Sequence, residues 1–132
     1  ETFDIVTCNP PYFKYEKNSL INTNDKKAIA RHEVMINLED ILKSANYLLK
    51  NKGTFAMVHR PDRLMEIFDL MRKYSLEPKK IRFIYPKKDK ECNMILIEGI
   101  KNGNAGLKIV SPLITHNEDG TYCDEIRDMF GN

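Results

Sequence analysis

The sequence predicts an α/β fold: a mostly parallel sheet, helices on both faces, and an antiparallel hairpin toward the end. Three observations carry this. Phe3–Cys8, Thr54–Val58 and Lys80–Tyr85 are short apolar runs of strand length. Two amphipathic stretches of helical period lie between them. A lysine-rich turn then joins the third run to a fourth, Met94–Ile100. Strand and helix in alternation is the pattern of βαβ units, whose strands run parallel.

The elements follow in order. Phe3, Ile5 and Val6 read as a short buried strand that runs into Asn9-Pro10-Pro11-Tyr12. From Asn9 to about Ala30 the chain is polar and loop-like, and a loop of ~20 residues inside a compact domain is usually functional or mobile. A helix is expected from Arg31 to Lys50, where Val34, Leu38, Ile41, Leu42, Ala45, Leu48 and Leu49 recur at three- and four-residue steps. Asn51-Lys52-Gly53 reads as its stop, with Gly53 suited to a left-handed cap. After Thr54–Val58, Pro61 fits the first turn of a second helix, with Asp62 near its positive end. Leu64, Ile67, Phe68 and Met71 form that helix's apolar stripe. Pro86–Glu91 is the hairpin turn, and Asn102-Gly103-Asn104 a second turn. Leu107–Thr115 is extended although Pro112 interrupts it. Asn117-Glu118-Asp119-Gly120 is another turn, before a short helix over Tyr122–Phe130.

Composition bounds the function classes. The chain has 132 residues, enough for one domain with a core of its own. No apolar run approaches the ~20 residues of a membrane span, so no membrane partner is expected. Cys8, Cys92 and Cys123 are scattered and odd in number, against a disulfide framework or a zinc site. Free thiols suit the cytoplasm. The chain begins without Met and without a secretory signal, and it reads as a piece of a longer protein. Net charge is +2, but Arg72, Lys73, Lys79, Lys80, Arg82, Lys87, Lys88 and Lys90 face only Glu77 and Asp89 across residues 72–90. That stretch reads either as a solvated turn or as a nucleic-acid footprint.

Ligands of parallel sheets sit beyond the carboxyl ends of the strands, which is where Asn9 to Tyr12 stand. The amide oxygen of Asn9 accepts hydrogen bonds. Pro11 lacks an N–H, fixes its own φ and holds Pro10 extended, which keeps the Pro10 carbonyl outside any helix or ladder. Tyr12 offers a flat ring. Two acceptors beside a stacking plate suit a planar group bearing an NH₂. Gripping its hydrogens favours a pyramidal nitrogen with a free lone pair, and so stabilises attack on an electrophilic carbon more than the planar ground state.

"FDIVTCNPPYFK" (Phe3–Lys14) resembles the catalytic motif of amino-group methyltransferases that use S-adenosylmethionine. "ARHE" (Ala30–Glu33), "NMILIEGIKNG" (Asn93–Gly103) and "PLITHNEDGTYCDEIRDMFG" (Pro112–Gly131) follow in the order of the small-methyltransferase family that includes the tRNA(Val) adenine-N6 methyltransferases. The resemblance implies that Asn9 and the Pro10 carbonyl hold the target amino group, that Pro11 stiffens the motif, and that Tyr12 stacks on the target adenine beside the anticodon. It implies a Rossmann-like class I fold with S-adenosylmethionine as cofactor, Asn9 bordering its site, and tRNA as partner. The family's glycine-rich donor loop and the acidic residue after its second strand are absent from this chain. Residues 1–132 are therefore expected to be the substrate-side half of one methyltransferase domain, inactive alone. Its exposed edge would meet either the missing N-terminal half or a second copy of the chain. Phe13, Arg31, His32, His59, Lys87 and Lys88 are the further substrate-contact candidates, each with a structural alternative: core packing for Phe13, a solvated helix end for Arg31 and His32, surface for the lysines. His116 reads as a surface residue. A protein glutamine N5-methyltransferase of release factors shares the motif, because an amide poses the same nucleophile problem. A DNA adenine methyltransferase would need a recognition domain for which there is no room, and a non-catalytic RNA-binding fragment completes the alternatives.

Overall fold

In the computed structural model, residues 2–10 and 38–130 are described. β1 (Phe3–Cys8) precedes a helix, α1, that covers residues 38–48. β2 (Leu49–His59) follows, then a 3-10 turn at Pro61–Arg63 that feeds α2 (Leu64–Lys73). β3 (Leu76–Tyr85), β4 (Met94–Lys101), β5 (Lys108–Ile114) and α3 (Asp124–Met129) complete the order. The sheet runs β1-β2-β4-β3-β5.

The α/β class holds, and the pairing refines it. β1–β2 and β3–β5 are parallel, whereas β4 is antiparallel to both β2 and β3, so the sheet is mixed rather than mostly parallel. The reason is the expected hairpin. A short turn can only return the chain antiparallel, and β4 then slots between β3 and β2 instead of adding at an edge. Pro112 sits where β5 carries an extra residue against β3, between the Arg82↔Val110 and Ile84↔Leu113 pairs. A bulge on an edge strand is where a proline does least harm.

One sheet face holds the core. Phe55 and Met57 of β2, Ile95 and Ile97 of β4, and Ile81 of β3 are fully buried there. Leu38, Leu42 and Ala45 of α1 and Ile67 and Met71 of α2 pack onto them. Side chains alternate faces along a strand, so Arg82, next to Ile81, points the other way. Arg82 forks onto Glu125 of α3 (Nη1–Oε2 2.6 Å, Nη2–Oε1 2.9 Å), which places α3 on the second face. The guanidinium beside Glu125 holds that carboxyl below its usual range. The expected stripes hold for Leu38, Leu42, Ala45, Ile67 and Met71, while Leu48 is exposed.

Three local readings change. β2 opens at Leu49, five residues earlier than expected, and the helix-to-strand turn is part of it. Lys52, not Gly53, takes the positive φ (68°). Gly53 is required for room instead: a Cβ there would lie 2.9 Å from Lys50 O and 3.1 Å from Asp4 O. The third change is β1. Among the described residues it forms one edge of the sheet, with Phe3 51% and Ile5 63% exposed, so it is not the buried strand its apolar residues suggested. No described helix is long and apolar enough to cross a membrane.

Candidate functional site

β1 leads straight into Asn9-Pro10, and the register says what stands beside them. Cys8 pairs with Met57 in the parallel β1–β2 ladder. Two residues further along each chain come Pro10, which is buried, and His59. Asn9, between Cys8 and Pro10, is exposed. Because His59 pairs with Ile95, the start of β4 lies at this same end. Ile84↔Met94 and Tyr85↔Ile114 bring the ends of β3 and β5 there too. One rim of the sheet thus carries Asn9–Pro10, His59–Arg60, the β3–β4 loop with Lys87 and Lys88, and the segment after β5. β1 and β3 are three strand spacings apart, roughly 14 Å.

Pro11, Tyr12, Phe13, Arg31 and His32 lie outside the described residues, as does the expected 9–30 loop beyond Pro10. Of the remaining candidates, the structure gathers Asn9, Pro10 and His59 at one corner and sets Lys87 and Lys88 further along the rim. His59 is only 4% exposed. Its Nδ1 accepts a hydrogen bond from the Arg60 N–H at 2.8 Å, so that nitrogen is unprotonated and the ring's proton is on Nε2. Burial pushes the imidazole below its ordinary range. Such a histidine underlies the rim rather than decorating it.

This sets a pH dependence. The folded chain takes up the His59 proton at lower pH than the unfolded chain does. Between the two values the unfolded state binds more protons, so stability falls as pH drops below about 6.5. Thermal unfolding followed from neutral pH downward is expected to show a falling midpoint, and His59→Gln is expected to flatten that slope. An unflattened slope in the variant would assign the effect elsewhere.

The cysteines take no part in bonding to each other; all three are half-buried free thiols. Burial raises the Cys8 thiol, and the Cys92 thiol donates to the Met94 carbonyl at 3.2 Å. Among the described residues, no group of three or more His, Cys, Asp or Glu could hold a metal ion. Asp4 pairs with Lys50 at 3.5 Å near the start of β1, about 16 Å along the strand from Asn9 by strand rise.

The sequence reading set His116 aside as a surface residue and did not single out Tyr122. His116 and Tyr122 flank the 117–120 turn, form an antiparallel bridge, and bring their ring centroids to 4.6 Å. The signal was present in the Asn-Glu-Asp-Gly turn, since a tight turn sets its flanking residues face to face.

No protein-family model matches the chain. Over 96 residues it is 31% identical to the tRNA1(Val) (adenine(37)-N6)-methyltransferase of Parabacteroides distasonis, which takes in 73% of this chain and 39% of that one. Over 127 residues it is 29% identical to the protein of the same name from Porphyromonas gingivalis, 95% of this chain and 49% of that one. Over most of its length this chain is similar to proteins named tRNA1(Val) (adenine(37)-N6)-methyltransferase. It spans about half the length of the curated relatives it matches. The methyltransferase fold is seen directly in the crystal structure of a predicted O-methyltransferase from Agrobacterium tumefaciens. That structure superposes with a TM-score of 0.72 at 22% identity over 98% of this chain and 51% of that one. The sheet that carries Asn9 and Pro10 at the end of β1 therefore shares the fold of that structure.

Proposed function

We propose that this chain is the substrate-side half of an S-adenosylmethionine-dependent methyltransferase that modifies the exocyclic N6 amino group of an adenine in tRNA. The observation that carries the reading is the rim: an exposed Asn9 and a buried Pro10 at the end of β1, on the same end of the sheet as a lysine-rich loop. Asn9 Oδ1 and the Pro10 carbonyl accept the two hydrogens of the amino group. Pro11 and Tyr12 keep the roles the sequence assigns them, stiffener and stacking plate, and Phe13, Arg31 and His32 stay substrate-contact candidates. His59 is buried at the end of the neighbouring strand, two residues past the partner of Cys8. S-adenosylmethionine supplies an electrophilic methyl group, and most of its site lies outside these residues. The β1 edge, with Phe3 and Ile5 exposed, is where the donor-binding half would pair.

Methyl transfer from labelled S-adenosylmethionine by the full-length gene product tests this, with total tRNA and a release factor offered separately. Label in tRNA adenine is expected. Label in the release factor would move the chemistry to a glutamine amide, and label in neither would leave an RNA-binding fragment.

The lysines have their own test. Replacing Lys87 and Lys88 together with Glu is expected to weaken tRNA binding by about tenfold or more at low salt. It should also reduce the salt slope by about two, one unit per lost phosphate contact. Filter binding across a salt series reads both. An unchanged slope would remove these lysines from the interface.

A further inference from the structure

The rim holds a second feature that the amino-group site does not use. The β3–β4 loop and the 117–120 turn flank a depression of about 630 Å³ lined by Lys87, Lys88, Asp89, Lys90 and Glu118. Its two walls are tied together at their base. The His116 N–H donates to the Pro86 carbonyl and the Thr115 N–H to the Tyr85 carbonyl, both at 2.9 Å. The Thr115 hydroxyl stands 3.3 Å from the Pro86 carbonyl and 2.8 Å from His116 Nδ1. The turn itself is braced, with Asp119 accepting from both the N–H and the hydroxyl of Thr121. At the root of the turn the Tyr122 ring leans on His116 at an interplanar angle of 35° and remains 55% exposed.

Each part has a chemical reading, and the readings agree. Three ammonium groups against two carboxylates suit a phosphate, which lysine binds as a point charge without needing a planar fork. The carboxylates confine the anion to the lysine side and oppose a continuous polyanion. An exposed tyrosine backed by a second ring is a flat plate held in place, and bases stack on such plates whatever their sequence. A depression of this size accepts one nucleotide-sized group. It lies on the rim that carries Asn9, a few strand spacings away.

We propose that this notch is a subsite for one unpaired nucleotide of the RNA substrate other than the methylated adenine. The phosphate sits on Lys87, Lys88 and Lys90 in the notch, and the base rests outside it on Tyr122, at the root of the turn that supplies Glu118 to its wall. This rests on the RNA reading above and adds to it a second point of contact that fixes where along the loop the enzyme sits.

The test uses the full-length protein and a stem-loop RNA carrying the target adenine. The loop nucleotides are made abasic one at a time, and binding is compared for the wild type, Tyr122→Ala and Tyr122→Phe. Tyr122→Ala is expected to weaken binding on the order of tenfold, and Tyr122→Phe, which keeps the plate, to bind as wild type. One abasic position, not the target adenine, is expected to weaken the wild type by a similar factor and to have no effect in Tyr122→Ala. If Tyr122→Ala fails to fold by circular dichroism, Tyr122→Leu takes its place. A Tyr122→Ala protein that binds like wild type, or whose losses add at every abasic position, overturns the subsite while leaving the RNA reading intact. A wild type with no affinity for any RNA overturns both.

Discussion

In the full-length gene product, an Asn9→Ala variant is expected to lose methyl transfer to tRNA by about 10²–10³-fold, with its fold and its affinity for RNA nearly unchanged. The magnitude follows from the role. In the role proposed for it, the Asn9 amide oxygen accepts a hydrogen from a nitrogen that turns pyramidal only as the new bond forms, so its contribution grows toward the transition state. Removing one preorganised group of that kind typically costs ~3–4 kcal/mol of barrier. The fold survives because Asn9 is exposed at a strand end, outside the buried core. Single-turnover rates with saturating tRNA, beside an equilibrium binding measurement, separate the two effects. A rate within a few-fold of wild type would show that the Pro10 carbonyl suffices and that Asn9 has another task. Asn9→Asp keeps an acceptor oxygen at the same reach, and it should retain more activity than Asn9→Ala.

The second large effect is on stability. Phe55→Ala is expected to destabilise the fold by about 3–5 kcal/mol, the cost of a fully buried aromatic lost to a cavity. Phe55 is completely buried at the centre of β2. Val6 of β1 pairs with it on one side and Gly99 of β4 on the other. Gly99 has no side chain to lean into the vacated space, and Met71 Cε already crowds it: a Cβ on Gly99 would lie 2.5 Å from that atom. Collapse around the truncated side chain is therefore limited, which favours the upper part of the range. Since domains of this size are stable by only ~5–15 kcal/mol, the change removes a large share of the total. Urea unfolding measures it directly. A loss below about 1 kcal/mol would mean that the core repacks freely; Phe55→Leu, which leaves a smaller cavity, should cost less than Phe55→Ala.

Local chemistry was legible wherever one segment carries its own signal. The 3.6-residue spacing of Leu38, Leu42 and Ala45 identified a helix face, and the structure buries all three. The Lys-rich break at Pro86–Glu91 identified a hairpin, and β3 and β4 pair across it. The run Phe3–Cys8 before Asn9 identified a strand, and the structure forms β1 there. Other readings failed because the deciding contact is distant in sequence. Phe3 and Ile5 look like core residues, yet among the described residues β1 has a neighbour on one side only and they lie open. Gly53 looks like a cap, yet it serves the close approach of Lys50 and Asp4 backbone. His59 looks like a rim residue reaching for substrate, yet the strand register turns it inward.

By itself, the sequence determined that this protein is an α/β chain with Asn-Pro-Pro-Tyr after its first strand, in an order of motifs that resembles the adenine-N6 methyltransferases. Helical period, strand length and turn residues are all properties of neighbours along the chain. Only the tertiary structure decided that β4 inserts antiparallel between β2 and β3. That insertion brings Asn9, His59, the lysine loop and the His116–Tyr122 pair to one rim. The reason is that strand order is set by hydrogen bonds and buried faces shared between segments tens of residues apart, such as Phe55 with Gly99 and Tyr85 with Ile114. No single segment contains that information.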